Sequence, residues 1–568
     1  MDQAFMYSRF AKHLSRHPWQ RHLFFLLLAV LATVINGYHY GTFDQVFHIT
    51  FLKKFVNPSL YPDDPFLSLR WYHFSYFWFP FIPLLRTGLL EISMFMVHIL
   101  TIYGIFWMFW ALSDLLFHSP QGNLLISLAL IFPHIGLPGF QIIEFSLLNR
   151  TFVLPFLLGC IWLYLKKKKV LAFLLLGLMF NLHVIYAIFV LCMLLLDEAI
   201  NFSWKSWWKP LLQFGSFFIA SLPVLIWRMQ TGHGIDLRLR PEMLDLATDG
   251  LLYTVYYPIG TSSSVIGNLI AGLGTLWAFI LGYKIAPKNK THKTMRNFAL
   301  AVGVLVIVSM IASYLLPVTI LLQMQILRAA VFMLYFGMLY FSYFLWHEKS
   351  EDMLSNGAFA LLAVSFILLI TPLFAILLYY LSKGMERIKL NPAWAIPVVG
   401  LLQGLIIFIA VQAGYWAPGF HIYGPQSAWR DVQIWASQHT PTETKFISPP
   451  YIFWHYTPDW RVFSERASIA TIPEMMEIPF DPAFAESFKL RFEAVAPGAI
   501  KTFDGNYVHT LKITEEKFYT NSEDDFEDIA CEFSADALVV ERDHPYNFPI
   551  LYENPGFIVY QLPECLNP

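Results

Sequence analysis

Between Leu23 and Ala413 the chain is a succession of apolar runs. Many approach the roughly 20 residues that a helix needs to cross about 30 Å of hydrocarbon. No soluble core accommodates so many of them, and the composition agrees. Of 568 residues, 57% are hydrophobic and only 14% are charged, against about 25% charged in a soluble domain. The expected fold class is therefore mainly α. A polytopic membrane helical bundle of about 11–13 segments occupies residues 1–424, with a first extracytoplasmic loop at 36–88. A C-terminal soluble α/β domain follows at 425–568. In it, AWRDVQIWASQHTP reads as a helix ended by Pro441, and TKFISPP, ADALVVERD and GFIVYQLP read as strands.

Charge sets the expected orientation. Arg9, Lys12, Arg16 and Arg21 precede the first apolar run and keep the N-terminus cytoplasmic. No small-x-small cleavage site follows that run and further spans do, so it reads as a signal anchor. The four lysines Lys166–Lys169 mark the cytoplasmic face, as does the basic loop from Lys284 to Arg296. The loops 36–88, 133–150 and 228–264 then fall outside. Residues 170–196, with Asn181, His183 and Tyr186 at their centre, form one span or two half-helices meeting at an outside turn. Asp197, Lys205 and Lys209 favour the broken form. Leu89–Leu112 and Asn123–Pro133 are expected to be crossings. Strict alternation would leave the tail inside, whereas a hairpin broken at Pro372 leaves it outside. The basic flanks of that segment favour the hairpin. Most acids lie after residue 424, and an acidic tail excludes nucleic acid as a partner. Cys160 and Cys192 sit in apolar segments; Cys531 and Cys565 are able to pair if the tail is extracytoplasmic.

The candidate chemistry collects on the outside loops. In the stretch Asn36–Arg70, Asp44 and His48 are four residues apart and would share a helix face. Phe43, Phe47 and Phe51 would form an apolar stripe beside them, suiting a helix laid along the membrane surface. Asp63 and Asp64 in YPDDPF read as turn and cap residues. Glycosyl transfer from a lipid carrier needs a carboxylate for the acceptor hydroxyl, cations for the departing phosphate and an apolar groove for the lipid. Asp44, His48 and Glu144 are the catalytic candidates. Arg150, Arg228 and Arg328 border spans on the outside and suit phosphate. Gln325 precedes Arg328 at i,i+3 and would share its helix face. His183 is an imidazole within an apolar segment, costly there unless it is paired or lines a cavity. No cofactor is assigned, and a divalent cation on Asp44 and His48 stays open.

These residues carry a resemblance. GTFDQVFH in the first outside loop, Glu144 to Arg150 (EFSLLNR) in the second, NLH at the mid-chain break and QILR near residue 325 resemble GT-C-type membrane glycosyltransferases. The likeness spans most of the chain as architecture, although its motifs are short. It implies a multi-span bundle with Asp44 as the catalytic acid and a polyprenyl-phosphate-linked sugar donor. It also implies Arg328 or Arg150 as the phosphate ligand. The sequence departs from the family where many members have two adjacent acids, because Gln45 follows Asp44. Two other readings compete: a transporter or flippase, which requires repeated halves and ionisable residues at the centres of facing spans, and a non-catalytic membrane scaffold.

Overall fold

Gly37 ends the first span at a point where the tail passes so close that only glycine fits. A Cβ there would overlap the Ala417 carbonyl, and its φ is +82°. The computed structural model describes residues 3–231, 236–260, 262–369, 371–453 and 456–565. Among these, seven helices are long and apolar enough to cross a bilayer: Pro18–Asn36, Leu90–Phe117, Trp208–Gln230, Ser263–Ile285, Lys290–Tyr314, Ile326–Ser350 and Pro392–Gln412. The chain is thus a multi-pass membrane protein. Asn149–Leu165, Lys169–Phe180 and Asn356–Leu368 are shorter apolar helices. Val184–Ile200 and Pro372–Arg387 continue the second and third of these after breaks, so both segments read as broken are broken.

The helices pack closely where side chains are small. A Cβ on Gly282 would strike the Tyr340 carbonyl, and one on Gly337 would lie 2.5 Å from Thr275 O. Glycines therefore seat Ser263–Ile285 directly against Ile326–Ser350, as small residues do between membrane helices. One expected crossing takes another form. The helix after residue 119 covers only Pro120–Ala129, about 15 Å long, and the chain continues without a helix to residue 148. That stretch is tolerated because protein groups satisfy its backbone. Asn36 Nδ2 donates to Ile131 O at 2.9 Å and His39 N to Phe145 O at 2.7 Å.

The first loop does not lie on a membrane surface. Its helix, Gln45–Val56, is buried at every residue from Gln45 to Leu52. Phe43 has φ +54° and stands outside the helix, so the apolar stripe reduces to Phe47 and Phe51. Their rings pack on Phe66 at 5.5 and 5.2 Å. The cover comes from the C-terminal part, which shares one hydrophobic core with this loop. Phe47, Phe51, Phe66 and Leu67 join Ile472, Met475, Phe484 and Phe488 there. A two-stranded parallel pair, β1 (Tyr38–His39) with β2 (Phe420–His421), ties the same regions together.

The tail carries a five-stranded sheet. Its strands are β3 (Lys445–Ile447), β4 (Ala467–Ser468), β5 (Ala537–Glu541), β6 (Ile550–Glu553) and β7 (Phe557–Gln561), in the order β4-β3-β5-β7-β6. β3 runs parallel to β4 and β5, and β7 antiparallel to β5 and β6. The three strands read from sequence are β3, β5 and β7, and the helix Ala428–His439 stops before Pro441 as read. Cys531 and Cys565 are joined by a disulfide.

A buried ion cluster pins the loop to the tail. Asp64 caps the turn Pro65–Ser68 through Phe66 N at 3.1 Å and also faces Arg461 at 2.6 Å. Arg461 meets Glu474 at 2.8 Å, and Glu474 meets Arg491 at 2.9 Å. The turn expected at YPDDPF is present, with Asp63 at φ +54°. What local sequence does not reveal is the arginine waiting 397 residues away.

Candidate active site

The loops and helix ends enclose a cavity of about 750 Å³. Seven of the eight site residues read from sequence line it: Asp44, His48, Arg150, His183, Arg228, Gln325 and Arg328. Glu144, the eighth, stands behind Arg150.

Asp44 occupies the N-cap position of Gln45–Val56, yet its side chain makes no capping bond. Its carboxylate turns instead to Arg150 Nη1. Arg150 also meets Glu144, with Nε donating to Oε1 at 2.8 Å and Nη2 at 2.7 Å from the same oxygen. Thr151 Oγ1 donates to the other oxygen of Glu144. One guanidinium thus orders two carboxylates from the first loop and from the loop at residues 133–150. Gln45 accounts for the missing second acid. Fully buried, it accepts from Gly41 N at 2.8 Å and donates to Leu147 O at 2.9 Å. A carboxylate there would supply the acceptor but set a charge against the Leu147 carbonyl.

Arg328 is differently placed. Among the described residues it has no carboxylate partner, and its Nε is buried without a hydrogen bond. Gln325 Oε1 is likewise buried without a hydrogen-bond partner among those residues. The expected shared helix face is replaced by a turn: Gln325 is left-handed at φ +44°, ahead of a 3₁₀ turn Ile326–Ala330, and both side chains still line the cavity. Phe140 of the second loop sits between the two arginines, its ring 5.1 Å from the Arg150 guanidinium carbon and 4.9 Å from that of Arg328. Arg228 lies over Phe74 at 5.4 Å.

His183 sits at the break between Lys169–Phe180 and Val184–Ile200. Its Nδ1 accepts from Tyr186 N at 3.1 Å, capping the second helix. His48 stacks on Trp78 at 4.4 Å. Burial first, then the charges of His73, Arg150 and His183, hold its imidazole well below the usual histidine range, so it is neutral. At the rim, hydrogen bonds from Arg238 bring Asp236 down to about 2. His233 of the same loop lies outside the described residues. Among the described residues no three His, Cys, Asp or Glu side chains come together as a metal-binding group, and Asp44 is engaged by Arg150 rather than by His48.

Sequence reading missed a second polar pair. His73 Nε2 and Glu477 Oε2 are 2.7 Å apart, and both line the cavity. His73 was legible only as one imidazole in an aromatic run, WYHFSYFW. Glu477 carried no signal, because the pair closes over 404 residues. Beside His73 opens a smaller aromatic groove of about 60 Å³, which shares His48, His73 and Ser75 with the main cavity. Phe51, Trp78 and Trp227 wall it, and Arg70 contributes two buried nitrogens without hydrogen-bond partners among the described residues.

No family model matches the sequence, and no curated protein matches it. Among solved structures the chain is similar to the crystal structure of ArnT from Cupriavidus metallidurans bound to undecaprenyl phosphate. The two share 11% identity with a TM-score of 0.48, over 95% of this chain and 97% of that one.

Proposed function

We propose that this protein is a membrane glycosyltransferase that moves a sugar from a polyprenyl-phosphate carrier to an extracytoplasmic acceptor, with inversion at the anomeric carbon. The observation that carries the reading is an Arg328 with no carboxylate partner among the described residues. Its Nε and Gln325 Oε1 are buried without hydrogen-bond partners among those residues, in a cavity that also presents the ordered carboxylate of Asp44. The lining also includes Phe180, Ile185, Ile188 and Leu225, apolar side chains that suit a lipid chain. An anionic head with an apolar tail matches this mixed lining.

In this reading Arg328 stabilises the departing phosphate, where charge develops as the anomeric bond breaks. Asp44 orients the acceptor hydroxyl. Arg150, read from sequence among the phosphate ligands, already faces two carboxylates and acts as a positioning residue. The tail lies outside with the loops, opposite Lys166–Lys169. The disulfide supports that side, since disulfides persist in oxidising compartments.

The test is transfer by the purified protein in nanodiscs, supplied with polyprenyl-phosphate sugars. Asp44→Asn is expected to lower turnover by about 10²-fold or more, and Arg328→Met to weaken polyprenyl phosphate binding. An Asp44→Asn variant as active as the wild type sinks the assignment of Asp44. Absence of transfer from every such donor sinks the reading itself.

A further inference from the structure

We infer that His73, held by Glu477, is the general base that takes the acceptor's proton, and that the acceptor reaches it through the aromatic groove. This rests on the transferase reading and adds what that reading leaves unassigned, the destination of the proton. Asp44 is poorly suited to that task, because its carboxylate is engaged by the Arg150 guanidinium.

His73 has the arrangement the task requires. An ionised carboxylate only accepts hydrogen bonds, so Glu477 Oε2 at 2.7 Å fixes the proton of the neutral ring on Nε2. Nδ1 then carries the lone pair, and among the described residues it has no hydrogen-bond partner. Glu477 is 4% exposed and has no other ion-pair partner among the described residues, while His73 is 20% exposed. The buried carboxylate both orients the ring and stabilises the imidazolium that forms, the logic by which an acid supports a histidine base. The ring is held sideways as well, with Phe51 at 4.9 Å and His48 edge-on at 5.5 Å. His48, buried and neutral, places no second charge beside it.

Position completes the case. His73 and His48 belong to both the cavity and the groove, so the dyad stands at their junction. The groove is walled by aromatic side chains, Phe51, Trp78 and Trp227 among them, and suits an apolar edge of the acceptor. The reaction balances as follows. The acceptor oxygen forms a bond to the anomeric carbon as the anomeric carbon–oxygen bond to phosphate breaks. The electron pair leaves on the phosphate toward Arg328, and the hydroxyl proton passes to His73 Nδ1. Glu477 comes from the 3₁₀ helix Ile472–Phe480, which a capping box of Thr471 and Glu474 fixes in place. The tail therefore contributes to catalysis and does more than cover the loop.

The experiment measures transfer by full-length protein in nanodiscs against pH, with polyprenyl phosphate binding measured in parallel. His73→Ala is expected to lower kcat by about 10²-fold and to lose the acidic limb of the kcat/KM profile. Donor KM and polyprenyl phosphate binding stay within about twofold, and added imidazole restores part of the rate. A merely structural histidine would not give imidazole rescue. Glu477→Gln, a gentler change that keeps the ring, is expected to lower kcat while retaining the acidic limb. Wild-type turnover and pH profile in His73→Ala overturn the inference. If that variant fails to fold, wild-type kcat in Glu477→Gln overturns it instead. A wild-type protein that transfers from no donor overturns the underlying reading, a result distinct from either.

Discussion

At the scale of single residues, His48 links the site to pH. Its folded form is held neutral well below the ordinary value near 6.5, whereas the unfolded chain protonates it near that value. Between the two, the unfolded state binds more protons, so its contribution to stability is complete above about pH 6.5 and is lost as pH falls below it. Melting temperatures from pH 8 to pH 5 are expected to decline less in His48→Phe than in wild type, since phenylalanine keeps the stack on Trp78. An equal decline would show that other groups govern the acid limb. The same scale shows what sequence conveys. Asp44 was legible as a carboxylate of the first loop, and Arg150 and Arg328 as arginines bordering spans and suited to phosphate. Their pairing was not, because Arg150 and Asp44 are 106 residues apart and no periodicity links them. His73 and Glu477 escaped for the same reason.

At the scale of elements, the buried ion cluster holds the first loop against the tail. Arg461 is fully buried between Asp64 and Glu474. Arg461→Met would leave both carboxylates in the core with Arg491 to serve only Glu474. Breaking such a cluster from one side costs about 3–5 kcal/mol. The expected result is a lower melting temperature and faster proteolysis within residues 57–75, read by mass spectrometry. Wild-type proteolysis of that loop would show that the shared apolar core alone retains it. Element types were largely readable. β-Branched content and flanking turn residues marked the strands of the tail, and Pro372 and the Asn181–His183 turn marked broken helices. Phe43 and Gln325 defeated the helical spacing rule, because each adopts a left-handed backbone that rotates its side chain off the helix. The buried face of Gln45–Val56 was unreadable for another reason: its cover is supplied by residues some 400 positions later.

At the scale of the whole molecule, the bundle and the tail join at the site. The seven helices long and apolar enough to span, among the described residues, and the break at Pro372 were visible as apolar length and punctuation, since the bilayer imposes that length. The packing of tail on loop was not, because it joins residues some 400 positions apart. The disulfide bears on sidedness and on stability. Closing a segment with a separation of 34 residues restricts the unfolded chain by about 4 kcal/mol. Cys531→Ser is expected to lower the melting temperature of the tail, and wild-type membranes alkylated without reductant are expected to leave both cysteines unmodified. Free thiols at Cys531 and Cys565 in native membranes would place the tail on the reducing side.

The shared core of loop and tail also has a consequence for biogenesis. Asp64 and Arg461 are separated by 397 residues. At about 5–20 residues per second, roughly 20–80 s pass on the ribosome before the partner of Asp64 exists. Throughout that interval the first loop exists with Phe47, Phe51 and Phe66 still lacking the tail residues that share their core. Nascent chains of this protein are therefore held incomplete until synthesis is nearly over, and a chain terminated early has no means of closing its own first loop.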